Sequence, residues 1–248
     1  MGSMPERIDG MIPFQEKIFV DKIELKDKYE LTNQEKEVYR TLRTNLEFTG
    51  VENRVIAITS CTPDDGKSTV AYHLARALAQ AGKNTLHIDG DMRKSVLINR
   101  LNLYGVEKGL SHYLSGQAQM SEVVYATNKK NFFMIPCGTF PTNPTELLGN
   151  PRLETLLTGL KKTFEYIIID TPPLGNVIDA AVVSKVADGS VLVLAADKSS
   201  KALAKSVSSQ LKSANPNLIG VVLNKVETHK GSYYGKKYGN YNKYGGYY

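Results

Sequence analysis

Residues 54–70 read RVIAITSCTPDDGKSTV, and the order of events in them decides the fold. Val55 to Ile58 form an apolar, β-branched run of the kind that makes a strand buried on both faces. Pro63, two aspartates and Gly66 interrupt it, and the stretch STVAYHLARALAQAG (68–82) then has the apolar spacing of an amphipathic helix. Strand, tight loop, Gly66-Lys67-Ser68 and helix, in that order, make a phosphate-binding P-loop. In such a loop the backbone amides from Asp65 to Thr69 and the helix N-terminus hold phosphates, Lys67 reaches the β and γ phosphates, and the Ser68 hydroxyl ligates Mg²⁺. The P-loop pattern also asks for glycine where this chain has Cys61, so the reading rests on the strand–loop–helix context. A helix that merely begins at Asp65 or Ser68 is the competing reading.

Outward from this loop the chain alternates apolar runs with helical stretches. The strand-like runs are TLHIDGD (85–91), FFMIPCG (132–138), YIIIDTPP (166–173), SVLVLAAD (190–197) and LIGVVLNK (218–225); helices are expected at NQEKEVYRTLRTNLEFT (33–49), with Asn33 as N-cap, and at NPRLETLLTGLKKTF (150–164). Continuous Ile/Val/Leu strands between helices predict one α/β domain over residues 33–227, a doubly wound, mostly parallel sheet covered on both faces. Residues 1–32 have no strong period and read as an irregular lead-in with one short extended piece at KIFVDKIEL (17–25).

Two further strands end in acids, and the carboxyl ends of parallel strands open on a common edge. Asp170 closes YIII as the metal-binding acid of a Walker B strand does, and Asp89 and Asp91 close TLHI. A nucleotide switch needs one acid for Mg²⁺, whereas a kinase needs a second carboxylate to receive the proton of the hydroxyl it phosphorylates. The extra pair fits a kinase, with a helix cap or a pairing to Arg93 as its other use.

Composition narrows the classes further. No run of eighteen apolar residues occurs and the N-terminus lacks an apolar signal core, which predicts a cytoplasmic protein. Two cysteines, Cys61 and Cys137, are too few for a disulfide framework. Of the formal charge of +6, four units come from Lys230, Lys236, Lys237 and Lys243 near the C-terminus. The balance over residues 1–227 is close to neutral, which argues against a nucleic-acid partner.

Those four lysines sit in or beside GSYYGKKYGNYNKYGGYY (231–248), which holds seven of the fourteen tyrosines and no acidic residue. No aliphatic residue accompanies them to form a core, so residues 228–248 are expected to be a flexible tail of exposed phenols that bind something or are modified.

At this point the motifs resemble those of a known family. TSCTPDDGKST (59–69), LHIDGDMR (86–93) and YIIIDTPP (166–173) are similar to the Walker A, A′ and B motifs of bacterial protein tyrosine kinases of the CpsD/CapB type, which govern capsule and exopolysaccharide synthesis. EVYRTLRTNLEF (37–48) resembles that family's oligomerisation motif through Glu37, Arg40 and Arg43, and TNPTELL (142–148) its proline-containing PNPxELL stretch. The resemblance covers residues 33–248. It implies a tyrosine autokinase using ATP and Mg²⁺, with Lys67, Asp89, Asp91 and Asp170 catalytic. Asp65, Gly66, Lys67, Ser68, Thr69, Arg93 and Asn224 would contact the nucleotide, and Ser68, Asp91 and Asp170 the metal. Tyr233, Tyr234, Tyr238, Tyr241, Tyr244, Tyr247 and Tyr248 would be the phosphoacceptors. It also implies a homo-oligomeric ring with transfer in trans, a transmembrane adaptor that brings the kinase to the inner face of the membrane, a cognate phosphotyrosine phosphatase, and polysaccharide-synthesis proteins as substrates. The chain departs from the family at Asp64, where glycine is usual, and at Thr142, where proline is.

Two rivals remain at this stage. A MinD/ParA-type ATPase switch shares the doubled Walker arrangement but carries a signature lysine where this chain has Thr62. A binding protein whose tail stacks on RNA bases or polysaccharide would leave Asp89, Asp91 and Asp170 without a role.

Overall fold

The computed structural model describes residues 22–226 except 28, 29, 102, 104, 105 and 197. The seven tail tyrosines and residues 1–21 lie outside the described residues. The chain runs β1 (Lys22–Ile23), α1 (Asn33–Glu47), β2 (Val55–Ser60), α2 (Lys67–Gln80), β3 (Thr85–Asp89), α3 (Leu97–Leu101), α4 (Leu110–Leu114), β4 (Tyr125–Thr127), β5 (Phe132–Ile135), α5 (Pro144–Leu148), α6 (Pro151–Leu160), β6 (Tyr166–Asp170), α7 (Asp179–Ser184), β7 (Gly189–Ala195), α8 (Lys201–Ala214) and β8 (Leu218–Asn224). The eight strands form one sheet in the order β1-β4-β5-β3-β6-β2-β7-β8.

The apolar strands divide their side chains by parity. Ile56 and Ile58 of β2 join Val70, Leu74 and Leu78 of α2 on one face, while Val55 and Ala57 join Leu153, Leu157 and Ile169 on the other. Leu192 of β7 packs with Val207 and Leu211 of α8 on that second face. Burial on both sides explains the continuous Ile/Val runs.

One detail differs from the sequence expectation and two refine it. Thr32, not Asn33, caps α1: its side chain accepts from the Glu35 amide and the Glu35 carboxylate accepts from the Thr32 amide, because only Thr32 has a glutamate three residues on to close a capping box. The sheet is not wholly parallel, since β4 and β5 are antiparallel; the link 128–131, with Asn131 at φ 57°, is far too short for a parallel crossover. The irregular lead-in, finally, includes β1, which pairs with β4. Beyond β1, Leu25 is buried and Asp27 accepts from Tyr72 and Arg76 of α2, so the folded unit starts ahead of residue 33.

Parallel pairing aligns the functional strands at their ends. Asp89 of β3 stands directly opposite Asp170 of β6, and β6 in turn pairs with β2, whose carboxyl end opens into the P-loop.

Candidate active site

The P-loop is held in shape by contacts that the sequence pattern alone does not reveal. The buried Asp65 carboxylate accepts from the Thr62 amide and hydroxyl, both at 2.8 Å, so its side chain braces the loop and only its backbone faces a ligand. Asn224 donates from Nδ2 to the Asp65 carbonyl at 2.9 Å. Lys225 donates to the Asp64 carbonyl at 2.6 Å, and Lys198 to the Pro63 carbonyl. Gly66 precedes α2 at φ 93°, and a Cβ there would come within 2.1 Å of Asn224 Nδ2. Any residue with a Cβ would be strained at this φ and would displace the Asn224 amide.

Asp64 has φ 64°. That left-handed conformation costs a residue with a Cβ about 1–2 kcal/mol, less for aspartate than for most. Asp64→Gly is expected to leave stability nearly unchanged, since relief of strain is offset by greater freedom of the unfolded chain. It also removes a negative charge beside the phosphate loop, so ATP binding should tighten about two- to tenfold. Titration calorimetry checks this, and equal or weaker affinity would count against a phosphate-facing Asp64.

Lys67 begins α2, and its ammonium gathers the acids. It lies 3.0 Å from Asp91 Oδ2 and 3.6 Å from Asp170 Oδ1, and donates to Ser68 Oγ at 3.1 Å. Burial pulls its pKa down, but Asp170, Asp91 and Asp89 outweigh that and hold it above the ordinary lysine value. The Asp170 carboxyl is pushed up by burial, only partly opposed by Lys67. Its Oδ1 is buried and has no hydrogen-bond partner.

Asp89 is also buried. It accepts from the Ser95 hydroxyl and, at 3.3 Å, from the Asp91 amide. Burial first, then the charges of Asp170 and Asp91, raise its pKa to about 7. Asp91 differs in kind: its Oδ1 accepts from the Arg93 and Lys94 amides at 3.2 and 3.0 Å, and its Oδ2 takes the Lys67 ammonium. The two aspartates that sequence could not tell apart therefore divide, one poised near neutrality and one ion-paired.

The remaining expected ligands fall in two places. Thr69 Oγ1 accepts from Arg100 at 2.6 Å. The Arg93 guanidinium turns to the fully buried Asp179, with Nε at 2.7 Å and Nη2 at 3.0 Å. Thr145 completes the cluster, donating to Asp179 at 2.6 Å and accepting from Arg93 at 2.9 Å. Arg93 is thus a strut from the Asp89–Asp91 loop to α5 and α7. Sequence reasoning missed Asp179, although an acid within the apolar run VIDAAVV was the available signal. Asp179→Asn keeps the shape and loses the charge-assisted pair, so stability should fall about 1–3 kcal/mol. With the loop loosened, phosphate-transfer kcat should fall about tenfold, on the scale of a small misplacement of reacting groups. A denaturant melt and initial rates at saturating ATP read the two effects separately; an unchanged kcat would remove Arg93 from any positioning role.

Glu37 and Arg40 pair with each other on the exposed side of α1. Arg43 turns instead toward Glu47, at 3.7 Å, and is mostly covered. Cys61 and Cys137 are free and buried, and burial raises their thiols to about 11 and about 12, which keeps them protonated and unreactive.

The donor set suits a magnesium nucleotide. Among the described residues no three His, Cys, Asp or Glu side chains form a closed metal cage. Mg²⁺ prefers one or two carboxylates completed by phosphate and water, and Asp170 Oδ1, which accepts no hydrogen bond and faces the Lys67 ammonium at 3.6 Å, offers that kind of open site with Asp91 and Ser68. Asp89, Asp91, Asp170 and Lys67 together form a compact acid–base group at the mouth of a helix N-terminus.

Comparisons with known proteins place the chain among P-loop kinases and ATPases. A family model described as an AAA domain matches residues 53–219. The tyrosine-protein kinase CpsD of Streptococcus agalactiae is 39% identical over 223 residues, covering 90% of this chain and 96% of that protein. Among solved structures, the kinase domain of the Escherichia coli tyrosine kinase ETK superposes with a TM-score of 0.75 at 32% identity, over 83% of this chain and 86% of that one. The septum site-determining protein MinD of Pyrococcus horikoshii, solved with Mg-ADP, gives a TM-score of 0.61 at 26% identity, over 71% of this chain and 72% of that one.

Proposed function

We propose, from the premise that this chain belongs to the CpsD family of tyrosine-protein kinases, that it is an ATP-dependent autokinase whose phosphoacceptors are the tyrosines of its own C-terminal segment, and that it acts in capsular or exopolysaccharide synthesis. The observation that carries the reading is the convergence of Lys67, Ser68, Asp91 and Asp170 beside a buried Asp89 whose pKa is about 7. A nucleotide switch uses the first four groups and has no call for the fifth.

ATP is the phosphoryl donor, and its phosphates lie against the amides of residues 65–69 at the start of α2, where aligned peptide dipoles favour anions. Lys67 exchanges its two carboxylate partners for the β and γ phosphates. Ser68, Asp91 and Asp170 would hold Mg²⁺, which neutralises charge on the transferring group. Asp89 accepts the phenol proton as the tyrosine oxygen bonds to the γ-phosphorus and the bond to the β-phosphate oxygen breaks, leaving ADP and phosphotyrosine. Asp65 and Asn224 hold the loop in place, and the Arg93–Asp179 strut fixes the Asp89–Asp91 turn.

The tail follows β8, whose carboxyl end lies on the active-site edge. Tyr238 follows Lys225 by thirteen residues, a separation that as a random coil would span roughly 20 Å r.m.s., enough for its own site or a neighbour's. Transfer in trans within an oligomer that uses Glu37, Arg40 and Arg43, and activation by a membrane adaptor, complete the proposal. Trans transfer is tested by mixing full-length Lys67→Met protein, which has acceptors but no activity, with active protein lacking residues 231–248. Phosphate on the Lys67→Met chain supports transfer between chains; its absence, with wild type still self-phosphorylating, restricts the reaction to one chain.

A further inference from the structure

The near-neutral balance of residues 1–227 conceals a segregation of charge. Residues 198–226 contain five lysines and no acidic residue, and residues 198–248 contain nine lysines and one acid, so residues 1–197 carry a formal charge of −2. Lys201, Lys205 and Lys212 are exposed on α8. At 100° per residue they fall within a narrow arc of that helix. None of the three forms an ion pair among the described residues, whereas Lys198 and Lys225 are held against the P-loop carbonyls.

Helix stability does not account for this stripe. Lys201 occupies the first turn of α8, which contains no acid, and the macrodipole there disfavours a cation. Lys201 and Lys205 are one turn apart, where like charges repel.

Beside the stripe lies uncovered aliphatic surface. Val221 and Leu223 of the edge strand β8 pair with Leu192 and Leu194 of β7, and directly paired residues share a face of the sheet. That face is the one α8 covers over β7, yet Val221 and Leu223 are each 53% exposed and Val226, just beyond, is 41% exposed. A bare aliphatic edge strand is normally covered or charged.

We infer that the α8–β8 face is a docking surface for an anionic phospholipid bilayer, with Lys201, Lys205 and Lys212 against the headgroups and Val221, Leu223 and Val226 at their apolar boundary. A lysine stripe flanked by aliphatics matches both layers of such a surface. A nucleic acid would use the lysines and leave the aliphatics in water. The contact would hold the chain at a membrane directly, on the side from which the tyrosine-bearing segment leaves the fold, and it does not depend on the kinase reading.

The test is co-sedimentation of the full-length protein with vesicles of phosphatidylglycerol and phosphatidylcholine in equal parts, and with phosphatidylcholine alone. Wild type should bind only the anionic vesicles and be released by salt. Lys201→Gln, Lys205→Gln and Lys212→Gln together should weaken partitioning about a hundredfold, at about fivefold per lysine. Val221→Ser with Leu223→Ser should weaken it severalfold and keep the salt dependence, with circular dichroism and ATP binding unchanged in both variants. Wild type that ignores anionic vesicles would overturn the inference. So would binding lost only when Lys230, Lys236, Lys237 and Lys243 are replaced by Gln, which would assign it to the tail. Vesicle binding that survives in both face variants while their oligomeric mass changes would make the face a contact between copies and also refute a lipid role.

Discussion

Asp89→Asn is expected to lower the rate of phosphate transfer by about 10²–10⁴, the usual contribution of a placed general base, while stabilising the ligand-free protein. The wild-type pH profile of kcat/KM, which reports the free enzyme, should rise with pH and level near 7, where the Asp89 carboxyl titrates. Asn removes that limb together with the rate. The stability effect has the opposite sign. Because the folded-state pKa lies above the ordinary carboxylate value, folded protein holds a proton that unfolded chain has released; this contribution is complete below about pH 4 and is lost as pH rises through 7. At pH 8 Asn avoids ionising a buried carboxyl next to Asp170 and Asp91, so the variant should be more stable by on the order of a few kcal/mol, the gain shrinking as pH falls toward 5. A variant that is both inactive and less stable at pH 8 would contradict the assignment of Asp89 as an acid strained by its site.

Lys67→Met removes the one ammonium that, among the described residues, is surrounded by Asp89, Asp91 and Asp170. Transfer should fall by at least about 10²–10³, as when one preorganised charge-stabilising donor is lost. Ligand-free stability should fall by about 3–5 kcal/mol near neutral pH, as when one partner of a buried ion pair is removed. The sign again follows from protons: the Asp170 carboxyl, already pushed up by burial, escapes its uncompensated charge by protonation, so the variant regains stability as pH falls. Lys67→Arg separates the two roles. It keeps the charge and most of the stability but presents a planar fork in place of a compact point charge, and its rate should stay low. If Lys67→Arg restored the rate, positive charge alone would suffice and the geometric argument for lysine would fail.

The candidate catalytic group was legible because Asp89 and Asp170 end strands and Lys67 follows β2 across a tight loop. In a parallel sheet the carboxyl ends share an edge, so Asp89, Asp170 and the P-loop after β2 had to meet, and they do. The oddity of a second acid pair in LHIDGDMR pointed beyond a simple switch. What sequence could not supply was the division between Asp89 and Asp91, which depends on which carboxylate the Lys67 ammonium reaches. The family resemblance put Arg93 at the nucleotide; its partner Asp179 is 86 residues away, and an acid within the apolar run VIDAAVV was the local sign of it.

At the fold level, long apolar strands and amphipathic helices were read correctly. The two-residue β1 is too short for any periodicity but falls within the extended piece expected at 17–25, whereas the antiparallel turn at 128–131 lacks a hairpin signature such as Asn-Gly. Thr32 and Asn33 are both good caps, and the choice between them rested on Glu35. The near-neutral sum over residues 1–227 does not reveal the lysine stripe of α8, because acids elsewhere in the chain offset it.

The most direct test of the kinase account is intact-protein mass spectrometry after incubation with ATP and Mg²⁺, comparing wild type, Lys67→Met and a chain lacking residues 231–248. Successive phosphate additions on wild type, confined to the tail by peptide mapping and absent from both variants, are predicted. Phosphate on Lys67→Met incubated alone, or the same additions on the tail-less chain, would contradict it.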